Sequence, residues 1–129
     1  MQDDPRYGDV VAEVHAFVLA RARTARAAGV SEVWVDPGIG FGKTAAHNLT
    51  LLAHLEAIVG LGFPVVLGVS RKRFIAGVDP TAKAADDRLG GSLAAALVGA
   101  QAGVAVVRAH DVRETRQALA VAAAIEAAR

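Results

Sequence analysis

Three short apolar runs recur along the chain, and each is followed by a segment with helical periodicity. The runs are VWVD at 33–36, PVVLGVS at 64–70 and VAVVRAH at 104–110. They are continuous rather than alternating in hydrophobicity, which is typical of strands that are buried on both faces. A helix precedes the first run, so the order of elements predicts an α/β fold with a parallel sheet and crossover helices.

Four helices are predicted around these strands, and the first two have apolar residues at helical spacing on one side. They span residues 9–28, 45–59, 90–101 and 111–128. Gly29 is suited to end the first helix, and Thr44 is suited to cap the second. A polar loop through Asp87 precedes the third helix, and Asp111 with Glu114 predicts a capping box at the start of the fourth.

Composition excludes several classes of protein. The 129 residues make one domain at most, and the formal net charge of +1 gives no indication of nucleic acid binding. The absence of cysteine excludes disulfides and thiolate metal sites. The polar start MQDDPRYGDV does not resemble a signal peptide, and no apolar run reaches membrane-spanning length. We therefore expect a soluble, cytoplasmic protein with no membrane partner.

The unusual polar residues of the chain follow the ends of the three predicted strands, about 35 residues apart. In parallel α/β folds, catalytic and binding residues gather at the C-terminal ends of the strands. Alternation places Arg108 and His110 on one side of their strand while Ala109 faces away, which is costly unless solvent or an anion meets them. We expect these two residues, Asp36 and Lys72 to open into one shared cavity. Such a cavity suits a ligand with a planar, polar end and an anionic end.

The glycine-rich stretch VDPGIGFGKT at 35–44 can be compared with two phosphate-binding patterns. A Walker A loop requires a glycine where Pro37 stands, so that pattern fails. The Rossmann pattern can be laid on Gly40, Gly42 and Ala45, but it begins four residues after its strand, and no acid ends the next strand. Taken alone, the glycines indicate a tight strand-to-helix turn.

Three segments resemble dihydropteroate synthase in sequence and in order: DPGIGFGKT, LGVSRKRFI and RAHDVRET. RLGGSLAAAL and the alanine-rich last helix are also similar to that family, so the resemblance covers essentially the whole chain. It implies a transferase of folate biosynthesis that joins 6-hydroxymethyl-7,8-dihydropterin diphosphate to p-aminobenzoate and releases pyrophosphate. It also implies a (β/α)8 TIM barrel, which takes about 250 residues.

On this resemblance, residues 1–129 are the C-terminal half of a pterin-binding barrel with no internal boundary. The fold would be a partial (β/α)8 barrel, made of about the last three βα units preceded by one helix. Three parallel strands cannot close a barrel, so sheet edges and apolar helix surface would be exposed. We expect the chain to form a homo-oligomer or to need the missing half-barrel, and to be inactive alone.

The resemblance implies a role for each residue that matches the motifs of the family. The residues on the pterin are Asp36, Gly68, Lys72 and Arg108. The residues on the p-aminobenzoate side are Phe41, Ser70 and Arg73. The residues on the diphosphate are Arg108, Ala109 and His110, and the catalytic residues are Lys72, Arg108 and His110. Asp36 would accept N–H groups of the pterin, Gly68 would leave room beside it, and Lys43 matches the pattern with no role beyond an anion contact.

The family also implies Mg²⁺ as a cofactor, with its ligand in the missing N-terminal half and no metal ligand in this chain. Departure of pyrophosphate would be assisted by Arg108, His110 and that metal, so no side-chain nucleophile is needed. The small-molecule partners would be the pterin diphosphate and p-aminobenzoate.

Two other functions remain open. The pterin-binding barrel of methyltetrahydrofolate-dependent methyltransferases shares the pterin-holding acid but has no diphosphate to bind. The segments SRK at 70–72 and RAH at 108–110 favour the synthase over it. In a non-catalytic α/β fragment, the polar residues at the strand ends would only satisfy turns and caps.

Overall fold

The computed structural model describes residues 6–129, and in this range the chain forms an α/β structure with six α-helices and two strands. The helices are α1 (Val10–Ala27), α2 (Ala45–Ala53), α3 (Glu56–Val59), α4 (Phe74–Val78), α5 (Leu89–Ala102) and α6 (Val112–Ala127). The strands are β1 (Val66–Gly68) and β2 (Val106–Arg108), and a 3₁₀ helix (Ala85–Arg88) precedes α5. Residues 1–5, the first half of the polar start that argued against a signal peptide, lie outside the described residues.

β1 and β2 pair in parallel, with Gly68 opposite Arg108, which confirms the predicted parallel arrangement. Both strands are shorter than the predicted runs at 64–70 and 104–110. Helices α4 and α5 lie between them in the sequence, so the connection is a crossover as predicted. The C-terminal ends of the two strands therefore share one edge of the sheet.

The segment at 33–36 lies beside β1 but does not form a strand, so that prediction is wrong. Only Val35 pairs: its N–H donates to the Pro64 carbonyl at 2.9 Å, and its carbonyl accepts the Val66 N–H at 2.8 Å. Pro64 and Pro37 have no N–H with which to extend the ladder on either side. The bridge is nevertheless parallel, which places the end of this segment on the same edge as the ends of β1 and β2.

α1 and the start of α2 form as predicted. Asp9 caps α1 by accepting the N–H of Ala12 at 3.0 Å. Gly29 follows α1 with a φ of 97°, a left-handed conformation that glycine adopts without strain. Thr44 caps α2 in a reciprocal box with His47: the hydroxyl accepts the His47 N–H, and imidazole Nδ1 accepts the Thr44 N–H, each at 3.1 Å.

Three helix predictions differ from the structure. The helix predicted at 45–59 is interrupted at His54, whose φ of −122° and ψ of 32° leave the helical range, and α3 follows after one more residue. The polar loop predicted before α5 contains α4 and the 3₁₀ helix. The capping box of Asp111 and Glu114 is wrong, because the Asp111 carboxylate bonds to the Arg71 side chain instead of the first turn of α6.

The core lies between the helices and the strands. Its largest fully buried side chains include Ile39, Leu51, Leu55, Ile58 and Leu67. By contrast, Phe17 on α1 and Trp34 in the segment at 33–36 are 67% and 50% exposed, and Ile125 on α6 is 58% exposed. The expected exposure of apolar surface is thus confirmed. Within residues 6–129, no helix combines the length and the apolar character that crossing a membrane requires.

Candidate active site

Asp36 directly follows Val35 and begins a glycine-rich turn that leads into α2. One oxygen of its carboxylate accepts the Gly38 N–H at 2.8 Å. Gly38, Gly40 and Gly42 have φ angles of 73°, 88° and 61°, in the left-handed region that other residues seldom adopt. The path of the turn therefore accounts for the three glycines without a phosphate-loop pattern.

Lys43 holds this turn closed from inside. Its ammonium group donates to the Gly38 carbonyl at 2.8 Å and to the Phe41 carbonyl at 3.1 Å. Burial lowers the pKa of Lys43, and the nearby charge of Asp36 partly offsets this effect. Two of its three N–H donors are used within the turn, so Lys43 is a structural residue here, and its contact with an anion stays a prediction.

Lys72 reaches the same turn from the loop after β1. Its Nζ donates to the Ile39 carbonyl at 2.5 Å and lies 4.7 Å from the centre of the Phe41 ring, a geometry that gives cation–π attraction. A Cβ on Gly40 would lie 3.0 Å from Lys72 Cδ, so this glycine leaves the space that the lysine stem occupies. Burial lowers the pKa of Lys72, Asp36 raises it, and two neighbouring cations lower it.

Arg108 ends β2 and reaches across the end of β1 to Asp36. Its Nη2 lies 3.4 Å from a carboxylate oxygen of Asp36. A Cβ on Gly68 would lie only 2.3 Å from Nη2, so the missing side chain of Gly68 makes room for the guanidinium. The resemblance gives that room to the pterin, whereas in this structure Arg108 occupies it.

His110 lies two residues beyond Arg108 and contacts Ser70 at the end of the neighbouring strand. Ser70 Oγ is 2.7 Å from His110 Nδ1 and accepts the His110 backbone N–H at 3.1 Å. Ser70 and His110 are 40 residues apart in sequence, and only the parallel pairing of β1 with β2 brings them together.

Arg71 fixes the loop that follows β1. Its φ of 58° is uncommon for a residue other than glycine. Its guanidinium lies 3.1 Å from Asp111 and 3.6 Å from Asp86, and its backbone N–H donates to Ser92 Oγ at 2.9 Å. The hydrogen bond to Asp111 raises the pKa of Arg71. These contacts hold an unfavourable backbone conformation in place beside the site.

Arg88 is buried beneath this loop, and the sequence did not predict any role for it. Its guanidinium donates to the carbonyls of Ala82 at 2.9 Å, Arg71 at 2.9 Å and Lys83 at 2.7 Å. In the sequence, Arg88 ends a charged stretch at 83–88, where a solvated side chain is the ordinary expectation. No signal in its spacing distinguishes it from its charged neighbours.

Asn48 on α2 is a second residue that the sequence analysis missed. It is buried, and its Oδ1 accepts the Gly40 N–H at 2.8 Å, which anchors the glycine-rich turn to the helix. Here a signal was present, because Asn48 lies at helical spacing from Leu51, Leu52 and Leu55 on the apolar side of the predicted helix. A buried amide at such a position requires a hydrogen-bond partner.

In the described part of the chain, the predicted residues line three openings at one edge of the sheet, and their union in one shared cavity stays a prediction. The first, of about 230 Å³, is lined by Gly68, Ser70, Lys72, Arg108, Ala109 and His110. The second, of about 570 Å³, is lined by residues that include Phe41, Lys72 and Arg73. Asp36 lines the third, of about 310 Å³. The side chains of Lys72 and Arg108 themselves divide the space, since Lys72 borders the first two openings and Arg108 pairs with Asp36.

The residues at this edge do not fit a Mg²⁺ site. Mg²⁺ requires several oxygen ligands in octahedral geometry. Among residues 6–129, no group of three or more His, Asp or Glu side chains is arranged to hold a metal ion. The carboxylate of Asp36 already accepts the Gly38 N–H and pairs with Arg108.

Parallel strands with cationic side chains at their C-terminal ends define an α/β protein with a ligand-binding edge. The family model described as pterin binding enzyme matches residues 1–110, and the chain belongs to this family.

Individual relatives agree with this assignment. The chain is 45% identical to dihydropteroate synthase from Neisseria meningitidis serogroup C over 122 residues, which are 92% of this chain and 43% of that protein. The synthase from Xanthomonas albilineans in complex with 7,8-dihydropteroate is 46% identical with a TM-score of 0.91, over 95% of this chain and 49% of that one. The synthase from Thermus thermophilus in complex with 6HMPPP is 50% identical with a TM-score of 0.90, over 96% of this chain and 50% of that one. The chain thus spans about half the length of these relatives.

Proposed function

We propose that this chain forms the C-terminal half of a dihydropteroate synthase barrel. The whole enzyme would join 6-hydroxymethyl-7,8-dihydropterin diphosphate to p-aminobenzoate and release pyrophosphate. The observation that carries the proposal is the position of Arg108, which lines an opening with His110 and also pairs with the carboxylate of Asp36. One guanidinium can therefore serve both the anionic end and the heterocyclic end of a single ligand.

Asp36 and Arg108 are the residues proposed for the pterin. The Asp36 carboxylate is 39% exposed, and its oxygens can accept paired N–H groups of a heterocycle when Arg108 turns toward the ligand. The guanidinium of Arg108 is planar and can stack on the ring while its other N–H groups face the diphosphate. Gly68, which has no side chain, allows either position of Arg108.

The diphosphate would occupy the opening of about 230 Å³. Arg108, His110 and Lys72 line this opening and supply N–H donors, and Ala109 between them adds no bulk. Pyrophosphate is a highly charged leaving group, so electrostatic stabilisation of the departing oxygen is the main contribution that these residues can make.

The p-aminobenzoate would occupy the opening of about 570 Å³, in which Phe41 offers an aromatic face and Arg73 a cation for the carboxylate. Lys72 borders both openings, so it lies where the two substrates would meet. The assignment of Ser70 to this substrate is supported less well, because Ser70 lines the smaller opening.

The chemistry follows from these positions. The bond between the pterin methylene carbon and the bridging oxygen breaks, and its electron pair leaves with pyrophosphate beside Arg108 and His110. The amino nitrogen of p-aminobenzoate attacks the methylene carbon and then releases a proton. Asp36, as an anion on the ring, favours the positive charge that the dihydropterin carries between these events.

The remaining part of the barrel is the proposed partner of the exposed apolar surface. Four side chains of this surface are at least half exposed: Trp34 in the segment at 33–36, Phe17 on α1, and Val121 and Ile125 on α6. A preceding βα unit would cover the first pair, and the first unit of the barrel would cover the second. The alternative is that a second copy of the chain covers this surface. Light scattering of the chain alone distinguishes such a dimer from a monomer.

The test is pyrophosphate release with both substrates, measured for the chain alone and after adding the separately produced first half of the Neisseria meningitidis synthase. We expect no turnover from the chain alone and turnover from the mixture. Asp36→Asn in the mixture should lose far more activity than stability. Turnover by Asp36→Asn at the parent rate would contradict the proposal, and binding of methyltetrahydrofolate without pyrophosphate binding would favour the methyltransferase module.

A further inference from the structure

Ser70 and His110 meet at the point where the pairing of β1 with β2 ends. The register places Gly68 opposite Arg108, so Ser70 and His110, each two residues further on, are also opposite each other. Strand geometry puts residues two apart on the same face, which is why His110 shares an opening with Arg108. At this position the backbone ladder is replaced by the Ser70 hydroxyl, which accepts the His110 N–H at 3.1 Å.

The second contact of this hydroxyl is with a ring nitrogen of His110. Ser70 Oγ lies 2.7 Å from His110 Nδ1, the usual distance for an O–H donor and the short end of the range for an N–H donor. Within residues 6–129, no other acceptor lies within hydrogen-bond distance of this hydroxyl. Donation of the Ser70 O–H to Nδ1 fits this distance, and in the neutral ring it places the hydrogen on Nε2.

We infer that Ser70 is a positioning residue that holds His110 as the Nε2–H tautomer and orients its ring in the smaller opening. His110 is then ready to donate to an oxygen of the departing diphosphate. The identity of the anion as a diphosphate rests on the proposed function, whereas the contact between Ser70 and His110 does not.

The same contact argues against the assignment of Ser70 to p-aminobenzoate. A serine hydroxyl has a single hydrogen, and here it is directed at Nδ1. Ser70 also lines the opening with Arg108 and His110, whereas Phe41 and Arg73 line the other. Ser70 thus acts on the diphosphate through His110, and its removal should not weaken binding of p-aminobenzoate.

The test compares the 129-residue parent chain with Ser70→Ala, Ser70→Thr and the matched control Ser31→Ala, whose serine is exposed. Two-bond ¹H–¹⁵N spectra of the imidazole nitrogens, recorded in alkaline solution where histidine is ordinarily neutral, report the tautomer directly. His47, whose Nδ1 accepts the Thr44 N–H, is an internal reference for a hydrogen-bonded Nδ1.

We expect the parent and Ser70→Thr to show His110 as the Nε2–H tautomer with a hydrogen-bonded Nδ1. Ser70→Ala should lose the hydrogen-bond shift of Nδ1 and bind inorganic pyrophosphate about fivefold more weakly, the loss expected for one hydrogen bond. Binding of p-aminobenzoate should be equal in all variants. A parent His110 in the Nδ1–H form, or an Nδ1 shift that Ser70→Ala leaves unchanged, would overturn the inference.

The outcomes separate this inference from the proposed function. A parent chain that binds no pyrophosphate would count against the proposed function, while its ¹⁵N spectrum would still decide the tautomer. If Ser70→Ala does not fold, the parent and Ser70→Thr spectra decide the question. Weaker p-aminobenzoate binding by a folded Ser70→Ala would assign Ser70 to that substrate and overturn the inference.

Discussion

The Arg108 guanidinium lies 3.4 Å from the Asp36 carboxylate, across the end of a strand that contributes only Gly68 at that point. The two side chains are 59% and 39% exposed, so their ion pair adds at most about 1 kcal/mol to stability. The ion pair therefore contributes little to the free energy of unfolding. In the proposed function, the pair holds a cation between the ring end and the diphosphate end of the ligand.

Gly68→Ala should displace Arg108 with little loss of stability. The added Cβ would lie 2.3 Å from Nη2, the far end of a flexible side chain that can move away. Loss of a charge-assisted hydrogen bond should weaken pyrophosphate binding about tenfold, measured by calorimetry. The free energy of unfolding should change by less than about 1 kcal/mol, measured in urea.

Gly90→Ala is the matched control for this variant. A Cβ at Gly90 meets nothing within 4 Å, and the residue lies in α5, so alanine should stabilise the chain by roughly 0.5–1 kcal/mol. Pyrophosphate binding should be equal to that of the parent. Equal binding by Gly68→Ala as well would show that Arg108 does not need the space above Gly68.

Arg88→Met should destabilise the chain by about 2–4 kcal/mol. The substitution keeps an apolar stem but leaves the carbonyls of Ala82, Lys83 and Arg71 without their buried donor. Urea unfolding measures the loss, and Arg113→Met, at an exposed position, should stay within about 0.5 kcal/mol of the parent. A cost as small for Arg88 as for Arg113 would mean that water replaces the guanidinium at all three carbonyls.

The contrast between Arg88 and Arg108 explains how much of the site the sequence could predict. Arg108 ends an apolar strand, so its unusual position was visible in the sequence, and its role in binding stays a prediction. Arg88 lies in an irregular segment, and its three acceptors are backbone carbonyls, which have no sequence signal. Side chains that support a loop through its backbone are therefore difficult to predict, while those that project from regular strands are not.

The fold shows a similar division. The helix at 9–28 was predicted to within two residues, because its apolar spacing and the glycine that ends it are local properties. The segment at 33–36 was predicted as a strand from its apolar residues, but strand formation depends on a partner, and Pro64 in that partner has no N–H to donate. The parallel order was nevertheless predictable, since crossover helices separate the apolar runs.

Asn48→Leu should loosen the glycine-rich turn. The substitution keeps a side chain branched at Cγ but leaves the Gly40 N–H without its acceptor, at a cost of about 1–3 kcal/mol measured by urea unfolding. The adjacent Ile39 carbonyl accepts the Lys72 ammonium, so reaction of Lys72 with an amine-modifying reagent should become faster. Thr50→Val, on an exposed part of the same helix, should change neither the stability nor the reactivity of Lys72. Unchanged Lys72 reactivity in Asn48→Leu would show that the conformation of the turn does not control the lysine.

The pKa of Lys72 should respond in opposite directions to two substitutions at the site. Burial lowers the pKa of Lys72, Asp36 raises it and Arg108 lowers it. Asp36→Asn should therefore lower this pKa further, and Arg108→Gln should raise it. The ε-methylene resonances of Lys72 in an NMR titration give the midpoint in each variant. Asp79→Asn, which removes a carboxylate bonded to Thr81, should leave the midpoint unchanged.

The same pKa makes stability depend on pH in a defined direction. The folded pKa of Lys72 lies below the unfolded value of about 10.4, so between the two the unfolded state binds more protons. Stability due to this residue should rise with pH through that window. Lys72→Met should remove this part of the rise and leave the part that comes from Lys43, whose pKa is also lowered. Urea unfolding at several alkaline pH values measures the difference between the parent and Lys72→Met. A parent whose stability falls relative to Lys72→Met in that window would show that the Ile39 carbonyl and the Phe41 ring stabilise the charged lysine more than burial destabilises it.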